Sequence, residues 1–245
     1  MALPWTVVWI TGASSGIGAE ITKQLSEAGV KVAASARHLE GISSHPNVYH
    51  FAVDVTDADA LKITATEIEE RLGAIDLAIF AAGAYAPFKP ESFDLESFIQ
   101  INAVNYLGSV HALSAVLPQM MKRKSGHIAF VASVAGYMGL PKAAYYAPTK
   151  AALNNLAECL WMELRPKGIQ VSVVNPGFVE TKMTAANDFR MPFLMKPDRA
   201  ATLTLNGLKS GKFEIAYPLR FVSILKALQI LPIRLRLNLL SWMTS

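Results

Sequence analysis

Short runs rich in β-branched residues alternate along this chain with longer segments of helical period, and this alternation constrains the fold more than any other feature. The runs at 6–10, 31–35, 48–53, 77–81, 127–131, 170–174 and 213–217 predict strands, and the segments at 15–28, 58–72, 95–104, 105–121 and 147–164 predict helices. Most runs are apolar at consecutive positions, which is the pattern of strands buried on both faces. Such strands need helices above and below them. The expectation is one doubly wound α/β domain of repeated βαβ units with a parallel sheet of about seven strands. Pro166 and Gly168 supply the stop for the helix over 147–164. No linker, internal repeat or low-complexity tract interrupts the chain, so 1–211 reads as the body and 212–245 as a last strand and C-terminal extension of the same domain.

Composition narrows the function classes. Hydrophobic residues make up 52% of the chain and charged ones 17%, which excludes disorder and leaves apolar surface for a partner. Cys159 is the only cysteine, so no disulfide forms within the chain; it reads as a small core residue or a thiol kept reduced, with no neighbouring His to activate it. The first ten residues are apolar, lack a basic leader and run into a glycine-rich turn, which reads as a cytoplasmic start without an export signal. No stretch reaches the ~20 apolar residues that a membrane-spanning helix needs. Lys212, Arg220, Lys226, Arg234 and Arg236 stand against Glu214 alone in the tail, a surplus equal to the formal +4 of the whole chain. The body is therefore neutral, with no basic stripe for nucleic acid. His38, His45, His50, His111 and His127 do not fall with carboxylates at metal-ligand spacing, and no metal is expected.

Chemistry concentrates in two places. Thr11-Gly12-Ala13-Ser14-Ser15-Gly16-Ile17-Gly18 follows the first expected strand and opens the first helix, where glycines let backbone amides approach a pyrophosphate. Its spacing is not the G-x-G-x-x-G of the general fingerprint, and a tight turn needing glycine for sterics alone would read the same way. The second place is Tyr146 with Lys150, and Ser133 thirteen residues upstream at the end of an apolar run. On a helix the phenol and ammonium share one face, with Cβ atoms about 5–6 Å apart. A nearby cation favours the phenolate, drawing Tyr146 down from ~10 toward the range of general acid–base work. Tyr145 is the rival acid, but Thr149, four residues beyond it, carries no charge.

The segment 11–18, the Tyr146 and Lys150 pair, Ser133, and Asn105 within Val104-Asn105-Tyr106-Leu107-Gly108 together resemble the short-chain dehydrogenase/reductase family, over about residues 5–210. Asp54 after the third run, and Asn175-Pro176-Gly177 through Val179 to Thr181 after the sixth, agree with it. The resemblance implies a Rossmann-type fold and hydride transfer between a nicotinamide and a ketone or secondary alcohol. It implies that Tyr146 is the general acid or base, that Lys150 holds the nicotinamide ribose and, with the cationic ring of the oxidised cofactor, lowers the Tyr146 pKa, that Ser133 orients the substrate oxygen, and that Asn105 anchors a proton-relay water. Gly12, Ser14, Ser15, Gly16, Ile17, Gly18, Asp54, Val55, Ala82, Gly83, Pro176, Gly177, Val179 and Thr181 join Tyr146 and Lys150 as cofactor contacts. Where the family usually has Asn-Ala-Gly, this chain has Ala81-Ala82-Gly83, so a side-chain contact to the cofactor is lost. Relatives are commonly dimers or tetramers packed through the helices matching 105–121 and 147–164.

Cofactor choice falls on the tip of the second run, which reads Ser35-Ala36-Arg37. No carboxylate stands there to repel a 2′-phosphate, and the planar fork of Arg37 can pair with one, so NADP(H) is expected over NAD(H). Ser15 departs from the basic residue that many NADP-preferring relatives carry. Met183, Phe189, Met191, Phe193, Leu194 and Met195 make the segment after Gly177 apolar, flanked by Tyr85, Phe88, Tyr137 and Met138. They either line a pocket for a bulky or lipid-like carbonyl compound or pack the loop on the body. The basic, apolar tail has helical spacing over 218–231 and period-two spacing over 233–239, so its secondary structure stays open. It suits peripheral contact with an anionic membrane, packing on a sister subunit, or a cover for the cleft. A binding protein that senses or scaffolds a dinucleotide is the alternative from another class.

Overall fold

The structure, a computed structural model, describes residues 3–186 and 191–244. Its strands are β1 (Val7–Thr11), β2 (Lys31–Ala36), β3 (Val48–Ala52), β4 (Leu77–Phe80), β5 (Gly126–Val131), β6 (Ile169–Pro176) and β7 (Glu214–Tyr217). All neighbouring pairs are parallel, in the order β3-β2-β1-β4-β5-β6-β7. The helices are α1 (Gly16–Glu27), α2 (Ala58–Leu72), α3 (Leu95–Asn102), α4 (Gly108–Arg123), α5 (Ala147–Leu164), α6 (Pro197–Lys209), α7 (Leu219–Ile230) and α8 (Ile233–Thr244). This is a Rossmann-type domain with helices on both faces of its sheet.

The alternate side chains of each strand feed opposite layers. In β1, Val7 and Trp9 face the layer formed with α2, α4 and α5, where Leu61, Ile68, Val116, Met120 and Leu153 pack. Val8 and Ile10 face the layer formed with α1 and α6, where Ile21, Leu25, Leu205 and Leu208 pack. Burial on both sides explains the unbroken apolar runs, because every position of a central strand meets a helix. After β1 the chain winds outward to β2 and β3, then crosses back to lay β4 on the other side of β1. The switch between β1 and β4 opens a crevice at the carboxyl ends of the strands, where ligands of such sheets bind.

The structure adds to or departs from the sequence reading at four points. The helices expected to meet at 104 and 105 are joined by a π-helical turn, Ala103–Leu107. Helix α6 was not anticipated, although Ala200, Ala201, Thr204, Leu205, Gly207 and Leu208 form its buried stripe; the Thr and Gly among them dilute its apolar signal. The period-two segment 233–239 lies within α8, whose Leu240 is buried with Val134 and Met138. Cys159 is exposed on α5, not in the core. Phe189 lies outside the described residues.

Candidate active site

The carboxyl ends of β1 to β6 border one cleft of about 300 Å³. At one end runs the glycine turn. Gly12 has φ +73°, and a Cβ on it would sit 2.6 Å from the Ala82 amide nitrogen; one on Gly18 would sit 2.3 Å from the Gly12 carbonyl oxygen. Those two glycines are therefore required by packing alone. At Gly16 the need is conformational: a Cβ there would meet only Thr181, at 3.1 Å, but its φ of +57° is left-handed backbone that favours glycine. Ser15 precedes α1 with extended backbone and makes no side-chain cap, and no acidic residue occupies the first turn. Because Ser14, Ser15, Gly16, Ile17 and Gly18 border the cleft, the positive end of α1 faces it without a protein anion.

Arg37, Asp54 and Val55 border the same region. The β2–β3 register pairs Ala36 with Ala52, which brings the Asp54 carboxylate within 4.0 Å of Arg37 Nε, both side chains being exposed. Asp54 Oδ1 also accepts from the Thr56 amide at 2.9 Å and its hydroxyl at 2.8 Å. Sequence reading placed no carboxylate near Arg37, because this one arrives from the neighbouring strand and not from its own.

At the other end Ser133, Tyr146 and Lys150 converge. Ser133 ends β5 and caps the short 3-10 turn Val134–Gly136, its hydroxyl accepting from the Ala135 amide at 3.1 Å and donating to the Pro176 carbonyl at 3.4 Å. It is also hydrogen-bonded to the Tyr146 phenol. Tyr146 stands at the N-cap of α5 with its ring edge-on to Tyr85, centroids 5.5 Å apart. Lys150, one turn on and buried, donates to the Val131 carbonyl at 2.8 Å and holds its ammonium 5.4 Å from the Tyr146 ring centroid. Tyr145 points elsewhere: its hydroxyl accepts from the Asp94 amide at 2.7 Å among Phe88, Phe93 and Phe98.

Within the protein alone, burial pushes Tyr146 up to about 12, only partly opposed by the Ser133 hydrogen bond. Burial also lowers Lys150 to about 8. An ammonium stripped of water and tied to a carbonyl gains little from a phenolate whose own desolvation costs more. Protein groups alone thus keep the phenol protonated at neutral pH.

Asn105 does not border the cleft. Fully buried in the π-helical turn, its carbonyl oxygen accepts from the Ala84 amide at 2.7 Å while its amide donates to the Ala84 carbonyl at 3.0 Å and to Thr149 Oγ1 at 3.1 Å. Thr149 in turn donates to the Tyr146 carbonyl at 2.7 Å. The side-chain amide is committed to protein. It ties the segment following β4 to the start of α5.

Ala82, Gly83, Pro176, Gly177, Val179 and Thr181 border the cleft as expected, and with them Lys182, Met183 and Thr184. Lys182 escaped sequence reading, since a lone lysine in a loop carries no motif. A Cβ on Gly83 would lie 3.6 Å from Met183 Cε, 3.6 Å from Asn105 Oδ1 and 3.8 Å from Lys150 Nζ, so these groups meet at one point. The other apolar candidates scatter. Phe193 packs on Phe221, Met195 joins the core with α1 and α6, Met138 is buried under the tail, and the Tyr137 hydroxyl donates to Glu214 at 2.6 Å.

The family model for short chain dehydrogenase matches residues 6–190. The chain is 35% identical over 231 residues to an uncharacterised oxidoreductase of Myxococcus xanthus, covering 91% of each. It is 30% identical to a 3-ketodihydrosphingosine reductase of Bos taurus, across 87% of this chain and 71% of that one. A short chain dehydrogenase of Burkholderia cenocepacia, solved in complex with NADP, superposes with a TM-score of 0.86 at 27% identity, covering 98% of this chain and 99% of the other. On this ground the chain belongs to the short-chain dehydrogenase/reductase family and is an oxidoreductase of that family.

Proposed function

We propose that the protein is an NADP(H)-dependent reductase or dehydrogenase acting on a ketone/secondary alcohol pair, with Tyr146 as its general acid or base. The observation that carries this reading is the convergence of Tyr146, Ser133 and Lys150 at one end of a cleft whose other end is the uncapped N-terminus of α1. The residues present fit a dinucleotide: the turn at 12–18 offers an amide-lined, cation-flanked place for a pyrophosphate, with Arg37 and Lys182 beside it. The bound cofactor supplies or accepts the hydride.

Each side chain has a derivable part in the remaining chemistry. Tyr146, protonated with its pKa held up at about 12, is in the form that donates to a ketone oxygen. Ser133 can turn its hydroxyl from the long bond to Pro176 toward that same oxygen. Lys150 presents a buried cation for ribose hydroxyls and offsets negative charge left on the phenol. Asn105 and Thr149 position the Tyr146 backbone. NADP(H) is supported by Arg37 and by the complex of the Burkholderia cenocepacia protein. A bulky or lipid-like ketone is supported by Tyr85 and Met183 beside Tyr146 and Lys150, and by similarity to a 3-ketodihydrosphingosine reductase. The exposed Leu107 and Met162 suit a dimer or tetramer built on α4 and α5.

NADPH oxidation measured with ketones of graded chain length tests the reading. Turnover should rise with apolar chain length, and Tyr146→Phe should lower kcat at least ~100-fold while NADPH binding, read by fluorescence, is kept. Undiminished turnover by Tyr146→Phe sinks the catalytic assignment, and turnover confined to small polar ketones sinks the substrate class.

A further inference from the structure

The inner side of the α7–α8 hairpin is fully engaged. Val222, Leu225 and Leu240 pack on Val134 and Met138, and Phe221 stacks on Phe178 with centroids 5.8 Å apart. The rest of the hairpin surface is exposed and carries large apolar side chains between polar ones such as Ser223 and Asn238: Leu219 is 74% exposed and Ile230 86%, and Ile224, Ile233, Leu235 and Leu237 are each about half exposed. Single exposed apolar side chains are ordinary, but six on two short neighbouring helices form a patch that marks an interaction surface.

Charge selects the partner. From 219 to 244 the chain carries four basic residues and no acidic one. Lys226 is taken by Glu214, whereas Arg220 and Arg234 are exposed among the apolar residues. A second copy seated on this face about a twofold axis would set these arginines against their own images with no carboxylate between them. A sheet of anionic headgroups over an acyl layer complements both features at once. No helix of the described residues is long and apolar enough to cross a membrane, so the hairpin would lie in the interface and not span it. We infer that the outer face of α7 and α8 docks on an anionic phospholipid bilayer, its apolar side chains at the acyl boundary and Arg220 and Arg234 among the headgroups. Phe221 packs against Phe178 and Phe193 of the segment that follows β6, so docking brings the membrane beside the cleft.

Sedimentation of the full chain with phosphatidylglycerol/phosphatidylcholine vesicles, against phosphatidylcholine alone, tests this without reference to the reaction. Wild type should partition at least ~10-fold more onto the anionic vesicles, with the difference shrinking as salt rises. The double variant Ile230→Glu, Leu235→Glu should lose binding to both. Arg220→Gln with Arg234→Gln, a surface change that leaves the core untouched, should lose only the preference for phosphatidylglycerol. Equal unfolding midpoints for wild type and the arginine pair keep the comparison valid. The inference is overturned if wild type stays in the supernatant, if either variant binds as wild type does, or if light scattering shows a lipid-free dimer that the glutamate pair dissolves.

Discussion

Two adjacent tyrosines show how far one residue step changes a role. Tyr145 spends its hydroxyl on the Asp94 amide inside an aromatic cluster, while Tyr146 turns toward Ser133 and the cleft. The proposed preference for NADP(H) rests on Arg37. Its contact with Asp54 at 4.0 Å is solvent-exposed, and such pairs contribute about 0–1 kcal/mol. The fold therefore has little need of the guanidinium, which stays available to a phosphate. A charge-assisted hydrogen bond is worth about 1.5–3 kcal/mol, or roughly 10- to 100-fold in affinity. Arg37→Ala should accordingly raise the KM for NADPH by that factor and leave both the KM for NADH and the unfolding midpoint nearly unchanged. Equal losses with the two cofactors, or a wild-type preference for NADH, would refute the NADP assignment.

Between α3 and α4 the π-helical turn exists to bury one amide. Asn105 replaces hydrogen bonds that Ala84 and Thr149 would otherwise make to water. Asn105→Leu keeps the volume but strands the Ala84 amide and carbonyl, and an unsatisfied buried group costs about 1–3 kcal/mol. We expect a stability loss of about 3 kcal/mol in urea titration, accompanied by lower kcat because Thr149 and Tyr146 lose their anchor. A variant as stable as wild type would show that this strut is dispensable. The same turn marks the limit of what spacing conveys. The central strands were legible because each buries a continuous apolar run. The π-helical turn was not, since an extra residue in a helix leaves no composition signal. Helix α8 stayed open in the sequence because its period-two spacing is a strand pattern that no sheet edge takes up here. Arg37 was legible and Asp54 beside it was not, because proximity across strands depends on register, which no local pattern records.

At the scale of the whole molecule, the tail is joined to the cleft through Glu214. Its carboxylate accepts from the Tyr137 hydroxyl at 2.6 Å, from Asn175 at 3.3 Å and from Lys226 of α7. Gln229 of α7 also donates to the Tyr137 carbonyl at 2.6 Å. The turn that follows Ser133, the end of β6 and the C-terminal hairpin thus share one acceptor. Hydrogen bonding from Lys226 and Tyr137 holds Glu214 below the usual carboxylate range against its own partial burial. The two ends of this arrangement differ in worth. Lys226→Ala removes a half-exposed pair and should cost under about 1 kcal/mol. Glu214→Ala leaves the Tyr137 hydroxyl without its acceptor, while Asn175 keeps its bond to Asn154, and should cost about 2 kcal/mol. Because neither side chain borders the cleft, loss of Glu214 should act on the wall and not on proton transfer. The expected signature in steady-state kinetics is a raised KM for long-chain ketones with kcat for a small ketone nearly unchanged. A fall in kcat alone, with KM intact, would mean that Glu214 acts on Ser133 and Tyr146 directly.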